Sequence, residues 1–523
     1  MSNGRVNALL SDAERTCLEA LADLAAVNPF GPRRIELERQ ALGADFVDSG
    51  RVWHLHASPE PHNPNVPGLG ERAERLAADM HQRLSAGARA GRRELELYGD
   101  LLVYLLYYRC QSPLYEWIVG LAPARSVPAA FRAVAAELER FCTLPGRRLE
   151  PPLSAPHLFA CFFQVRRAFH HVFSAIVGVS APAARLRAQV WESIFTRNMR
   201  RYRRSLYARM GDVTTLVAGP SGTGKELVAR AVGLSRYIPF DAERGVFEES
   251  AESSFIPLNL AALSPTLIES ELFGHRRGAF TGAVADRTGW LEVCPPLGTV
   301  FLDEIAEIEP AIQVKLLRVL ESRNFQRLGE TRGRSFRGKL IAATNRDLGA
   351  EMREKRFRED LYYRLCADTV TTPSLRERLD DAPEELAQLV GFLAERLVGE
   401  DEAPALQREV VEWIDTRLGR DYAWPGNVRE LAQCVSNVLV RGSYEPPGRA
   451  GASTGDGRAL MLDEIAAGTL TAEEALTRYC TLVYAETGSY VAAAQRLAMD
   501  RRTVRRRVDA TLLRTLRNAP IAE

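Results

Sequence analysis

TTLVAGPSGTGKELVARAVG, residues 214–233, runs from an apolar stretch through a loop with three glycines into a segment with helical spacing. A short apolar run bounded by glycine reads as a buried strand, and ELVARAVG behind it reads as a helix. Strand, glycine loop and helix in that order are the context a phosphate-binding loop requires. The glycines let successive backbone N–H groups turn toward one anion, and the helix N-terminus adds partial positive charge. Gly219, Pro220, Ser221, Gly222, Thr223, Gly224, Lys225 and Glu226 are therefore candidate phosphate-site residues, with Lys225 against the β- and γ-phosphates. Glu226 stands where a Ser or Thr commonly gives its hydroxyl to magnesium, so it is itself a candidate metal contact. A plain glycine-rich turn is the competing reading.

The same alternation continues downstream. GTVFLDE at 298–304 and KLIAATN at 339–345 are further strand-like runs separated by helical ones. That order implies an α/β fold, a largely parallel sheet with helices on both faces. VFLDE ends in Asp303 and Glu304 at the sheet's carboxyl edge, where ligands bind in open α/β folds. Asp303 would hold Mg2+ and Glu304 would polarise an attacking water, since phosphoryl transfer needs positioning and charge neutralisation more than covalent chemistry. Asn345 either orients that water or makes a turn at the strand end.

The 523 residues leave room for about three domains. Lys and Arg number 68 and Asp and Glu 67, so no global field draws the chain to polyanions and any nucleic-acid contact must be local. Eight scattered cysteines without a CxxC pair suggest neither a disulfide framework nor a zinc ribbon, which fits a reducing cytoplasm. The longest apolar runs, such as LLVYLLYY at 101–108, fall far short of the roughly 20 residues of a membrane helix, so no membrane is expected.

GPSGTGKE, ESELFGHRRGAFTGA, GTVFLDE, IAATNRDL, FREDLYYRL and WPGNVREL, in this order, closely resemble the AAA+ domain of bacterial enhancer-binding proteins, the activators of sigma-54 RNA polymerase. The resemblance spans about 176–441, with a small helical subdomain at about 375–441, and it implies ATP and Mg2+ as cofactors. In that family Glu follows the phosphate-loop lysine, as Glu226 does here. The resemblance makes Gly278, Ala279, Phe280, Thr281, Gly282 and Ala283 the tip of a mobile loop that touches the sigma-54 factor. The residues themselves agree: glycines give freedom at the ends and Phe280 offers a large apolar surface. A tight turn with Phe280 tucked into its own core is the alternative. By position, Asn259 is similar to the residue that restrains Glu304, and Arg429 to a sensor arginine closing over nucleotide. Arg358 and Arg364 look like the pair that reaches a neighbouring subunit's γ-phosphate, which implies a ring, a hexamer, with a dimer as a resting state. Six residues apart on one helix is about 240°, so the two arginines cannot point the same way unless the helix breaks, and one of them is open to an intramolecular ion pair. Two segments depart from the family pattern: the arginine run RNMRRYRRSLYAR at 197–209, open to DNA contact or to a solvated helix face, and the insert DAERGVFEESAESS at 241–254.

After a linker-like stretch at 442–460, rich in Gly, Pro and Ser, residues 461–523 read as helical, opening with Thr471 and Glu474 in capping-box spacing. TGSYVAAAQRLAMDRRTVRRRV at 487–508 resembles a Fis-type helix-turn-helix with its turn at Ala498 to Asp500. Val504 and Val508 face inward, leaving Arg501, Arg502, Thr503, Arg505, Arg506 and Arg507 for upstream double-stranded DNA. Residues 1–175 lean helical and are expected to form a separate regulatory domain. His54, His56 and His62 in its Pro/His-rich loop are weak metal candidates, lacking helical HxxxH spacing. Three readings stand: an ATP-driven sigma-54 activator, an AAA+ ATPase acting on another protein, and a DNA-binding repressor whose nucleotide domain only switches.

Overall fold

The computed structural model describes residues 9–48, 63–149, 152–249, 255–446, 470–509 and 512–513. It divides into two compact units, Met1–Gln433 and Cys434–Glu523, parted inside the helix Asn427–Arg441. The histidine loop with His54, His56 and His62 and most of the expected linker lie outside the described residues.

The larger unit is built on five parallel strands: β1 (Thr215–Ala218), β2 (Phe255–Asn259), β3 (Thr299–Asp303), β4 (Lys339–Thr344) and β5 (Asp368–Thr371). Their order is β5-β1-β4-β3-β2, which sets the phosphate loop after β1 beside the end of β4. Register pairs Ala218 with Thr344, Ala342 with Leu302, and Asn259 with Asp303. Every residue of β4 is buried, as a central parallel strand covered on both faces requires. One face packs on a cluster including Ile268, Leu272, Ile312 and Leu316. The other packs on Val228 and Val232 of α1 (Lys225–Gly233), together with Val190 and Trp191.

That second face also takes in side chains from ahead of the expected boundary at 175. Ala168 and Val172, on α2 (Ala155–Ala175), belong to the same apolar cluster as Val217, Val228 and Phe301. The N-terminal region is helical as expected, including Asn65–Ser85, Val127–Cys142 and the 27-residue helix Arg92–Ile118. Its last helix, however, covers the sheet's own α1, so the two regions share one core. The insert after α1 adds to this. Phe240 and Phe247 form a short hairpin whose rings sit among Phe159, Phe163, Phe131 and Trp117, with Phe247 and Phe163 centroids 4.2 Å apart. The rest of the insert, 250–254, lies outside the described residues.

In the smaller unit, Ala472–Thr487, Tyr490–Leu497 and Arg501–Arg507 pack around Val483, Ala493 and Val504. Thr471 and Glu474 form the capping box read from the sequence.

Candidate nucleotide site and surface loop

The loop between β1 and α1 is wound so tightly that side chains are excluded at its turn. Gly222 has φ 78°, and a Cβ there would stand 2.2 Å from the Gly426 carbonyl oxygen. Thr223 closes the turn by donating its hydroxyl to the Pro220 carbonyl at 2.8 Å, and meets the Thr372 hydroxyl at 2.7 Å. Lys225 is buried, and its ammonium donates to the Gly219 and Pro220 carbonyls at 3.1 and 3.2 Å. Burial pulls the Lys225 pKa below the usual lysine value, while the carboxylates of Glu304 and Asp303 oppose the shift. Glu226 is exposed at the start of α1.

The small helical segment grips this loop directly. Asn427 lies in the left-handed region at φ 53° and is buried. Its amide donates to the Ser221 carbonyl at 2.9 Å and accepts from the Leu375 N–H at 2.8 Å. Arg429 reaches the Ser221 hydroxyl at 3.2 Å, and its N–H bonds the Gly222 carbonyl at 3.3 Å. Thr372 and Asn427 were not singled out by sequence reasoning. The WPGN turn contains the only available hint, since Asn is among the few residues that enter the left-handed region readily.

Strand ends bring the remaining candidates to one edge. Asp303 and Glu304 leave β3 half-buried, and Glu304 itself is left-handed at φ 54°, a strained geometry for a residue with a Cβ. The Asn345 N–H donates to the Glu304 carboxylate at 3.3 Å. Asn259 sits opposite Asp303 in register, yet its side-chain oxygen accepts from the Ala261 N–H at 3.0 Å. Among the described residues no hydrogen bond joins Asn259 to Glu304. Arg358 precedes the helix Glu359–Leu365 as its extended N-cap, so the two arginines do not share one continuous helix. Arg358 makes a two-pronged contact with Asp360 at 3.0 and 2.7 Å, whereas Arg364 stands 3.8 Å from Glu321.

The stretch 278–283 forms a stapled surface turn. Arg276 pairs with Asp286, whose carboxylate also accepts the Arg277 N–H at 2.8 Å. Inside that staple the Gly278 N–H bonds the Ala283 carbonyl at 2.8 Å. Gly278 and Gly282 have φ 82° and 102°, and a Cβ at either would meet nothing within 4 Å. Phe280 is half-buried, edge-on to His275 at 4.9 Å, and Val284 beside the turn is 83 % exposed.

Comparison with known proteins agrees with this arrangement. Residues 194–371 match the family described as Sigma-54 interaction domain. The central segment is a sigma-54 interaction domain. Such domains are AAA+ ATPases, and the five-strand order and phosphate loop here have that architecture. The Nif-specific regulatory protein of Azotobacter vinelandii is 46% identical over 43% of this chain and 40% of its own length. ZraR of Escherichia coli K12 is 43% identical over 45% of this chain and 49% of its own. LuxO of Vibrio cholerae is 41% identical over 46% and 48% respectively. The chain thus spans less than half the length of each of these relatives.

At the front of the sigma-54 interaction domain, two arginines of the run turn inward to carboxylates, while Arg197, Arg201, Arg204 and Arg209 are exposed. Arg200 pairs with Asp100 at 2.6 Å and Asp23 at 2.8 Å, and Arg203 pairs with Asp100 at 2.9 Å. These bonds pin the domain's first residues to the N-terminal helices. In the smaller unit, Arg501, Arg502, Arg505 and Arg506 are exposed and Thr503 is half-buried. Arg507 is turned back on Ala472–Thr487, 3.8 Å from Glu473. Asp500 caps the last helix through the Arg502 N–H at 2.8 Å, and Ala498 makes the turn at φ 50°.

Proposed function

We propose that the chain is an ATP-driven transcriptional activator, a cytoplasmic protein that binds DNA upstream and remodels sigma-54 RNA polymerase through residues 278–283. The observation that carries this reading is that one domain holds both a gripped phosphate loop with Lys225, Asp303 and Glu304 at its edge and a stapled Gly-Phe-Gly loop at its surface. The residues fit a nucleotide: the turn at Gly222 excludes side chains, and a buried lysine faces two carboxylates. Bound ATP with Mg2+ would supply a phosphoanhydride bond whose hydrolysis releases the work of remodelling. Lys225 and the loop N–H groups would neutralise phosphate charge, with Asp303 and, secondarily, Glu226 holding the metal. Glu304 would draw a proton from water, and Asn345, already bonded to that carboxylate, would keep it aimed. Arg429 would report nucleotide through its contact with Ser221.

Arg358 and Arg364 are each held inside the chain here, so a neighbouring subunit in a hexameric ring would compete with Asp360 and Glu321 for them. Asn259, with its side chain occupied by its own turn, would restrain Glu304 in another nucleotide state. Arg501, Arg502, Arg505 and Arg506, with Thr503, would divide between phosphates and base edges of duplex DNA.

Steady-state ATP hydrolysis by the full chain across a concentration series tests the core of this reading. Turnover rising cooperatively with concentration and falling by at least about a hundredfold in Glu304→Gln supports it. Absence of turnover at every concentration favours the repressor that only switches. Phe280→Ala separates the remaining alternative: retained hydrolysis with lost binding to purified sigma-54 supports the activator, and unchanged sigma-54 binding sinks it.

A further inference from the structure

Beside the Arg203–Asp100 pair lies a cavity of about 470 Å³, within the range of pockets that take small organic ligands. Its walls come from both sides of the shared core: Tyr104 and Tyr107 from Arg92–Ile118, Phe162 and Arg166 from α2, and Trp191 and Tyr202 from the front of the nucleotide domain. A stable core of this size would be filled, because interiors pack to near-crystalline density. The cavity also carries polar groups without partners. The Tyr107 hydroxyl, Arg166 Nε and Trp191 Nε1 are buried and make no hydrogen bond among the described residues. Each is a donor, and a buried donor left unpaired is destabilising, more so when the group is charged.

The charge has one sign. Arg34, Arg109, Arg166 and Arg203 line the cavity, and no Asp or Glu does among the described residues. Arg34, Arg109 and Arg203 already hold Glu38, Glu74 and Asp100. Arg166 instead lies over the Tyr115 ring at 4.3 Å, and no carboxylate pairs with it among the described residues. We propose that this cavity is a binding site for a small amphipathic organic anion, an anionic head on Arg166 and Tyr107 and an apolar body among the aromatic rings, with its occupancy felt at the joint formed by Trp191 to Arg203. The donors ask for acceptor oxygens, the unpaired guanidinium asks for negative charge, and the rings ask for an apolar body.

A pair of dyes tests this on the full chain. 8-Anilinonaphthalene-1-sulfonate carries the head and the body, and N-phenyl-1-naphthylamine carries the body alone. The sulfonate is expected to bind saturably at one per chain, the uncharged dye at least about tenfold more weakly. Arg166→Met is expected to weaken the sulfonate by about tenfold or more and leave the uncharged dye unchanged. Tyr107→Phe removes a hydroxyl that makes no bond, so it keeps the fold and should weaken the sulfonate several-fold. Hydrogen exchange at 199–206 should slow on saturation. Equal binding of the two dyes, no saturable binding, or sulfonate affinity indifferent to both substitutions would overturn the proposal. Binding is read without nucleotide, so failure here leaves the ATPase reading untouched, and failure of ATP turnover leaves this one untouched.

Discussion

Two glycine-rich loops lie in the same domain and use glycine for opposite reasons. At Gly222 in the phosphate loop, both the backbone angle and the neighbours exclude a side chain, since the Gly426 carbonyl occupies the place a Cβ would take. At Gly278 in the surface loop the angle alone asks for glycine, and the surrounding space is open. The first loop is fixed by contact on every side, including the grip of Asn427 and Arg429. The second is held at its base by Arg276 and Asp286 and by its own backbone bonds such as Gly278 to Ala283, and its Phe280 lies edge-on to the His275 ring. On the proposed function, the site that holds charge in place is built by crowding and the one that reaches outward by leaving room.

Substitution can break that contrast. Gly222→Ala meets backbone at 2.2 Å as well as an unfavourable φ, and should cost about 2–5 kcal/mol, read as a lowered melting temperature and lost nucleotide binding. Asn427→Ala leaves the Ser221 carbonyl and the Leu375 N–H without their partner and should cost about 2–3 kcal/mol, with weakened nucleotide affinity. Gly278→Ala faces only the angle and should cost about 1 kcal/mol, with ATP turnover kept; a loss as large as that of Gly222→Ala would erase the distinction. Ala498 sharpens it from the other side. This alanine holds a left-handed turn in the smaller unit, so Ala498→Gly should raise that unit's stability by about 0.5 kcal/mol, the strain relieved being partly offset by glycine's greater chain entropy.

Much of the candidate nucleotide site is legible because it depends on chain-local features. The strand, glycine turn and helix around Lys225 lie within twenty residues, and Asp303 and Glu304 follow an apolar strand by simple adjacency. The short helices of the smaller unit are readable for the same reason, from the turn at Ala498 to Asp500 and from Val504 as an inward position. What escaped was tertiary. Nothing in RNMRRYRRSLYAR says that Asp100, a hundred residues earlier than Arg200, waits for it. The apolar face of α2 reads the same whether it packs within its own domain or over another's sheet, so the shared core is not visible in the sequence. The 240° separation of Arg358 and Arg364 holds only on one continuous helix, and here the helix starts after Arg358, so that argument does not decide which way the two point.

The hairpin carrying Phe240 and Phe247 has a consequence for heredity as much as for packing. Its rings are rooted in the nucleotide domain but complete the aromatic cluster of the N-terminal helices. The two halves of the larger unit therefore cannot be traded independently among relatives. A recombination that replaced residues 1–175 alone would strand two phenylalanines on the surface, and one that replaced the central domain alone would leave a hole between Phe159 and Trp117. Such a lineage is expected to inherit insert and N-terminal helices together, as a single co-evolving block.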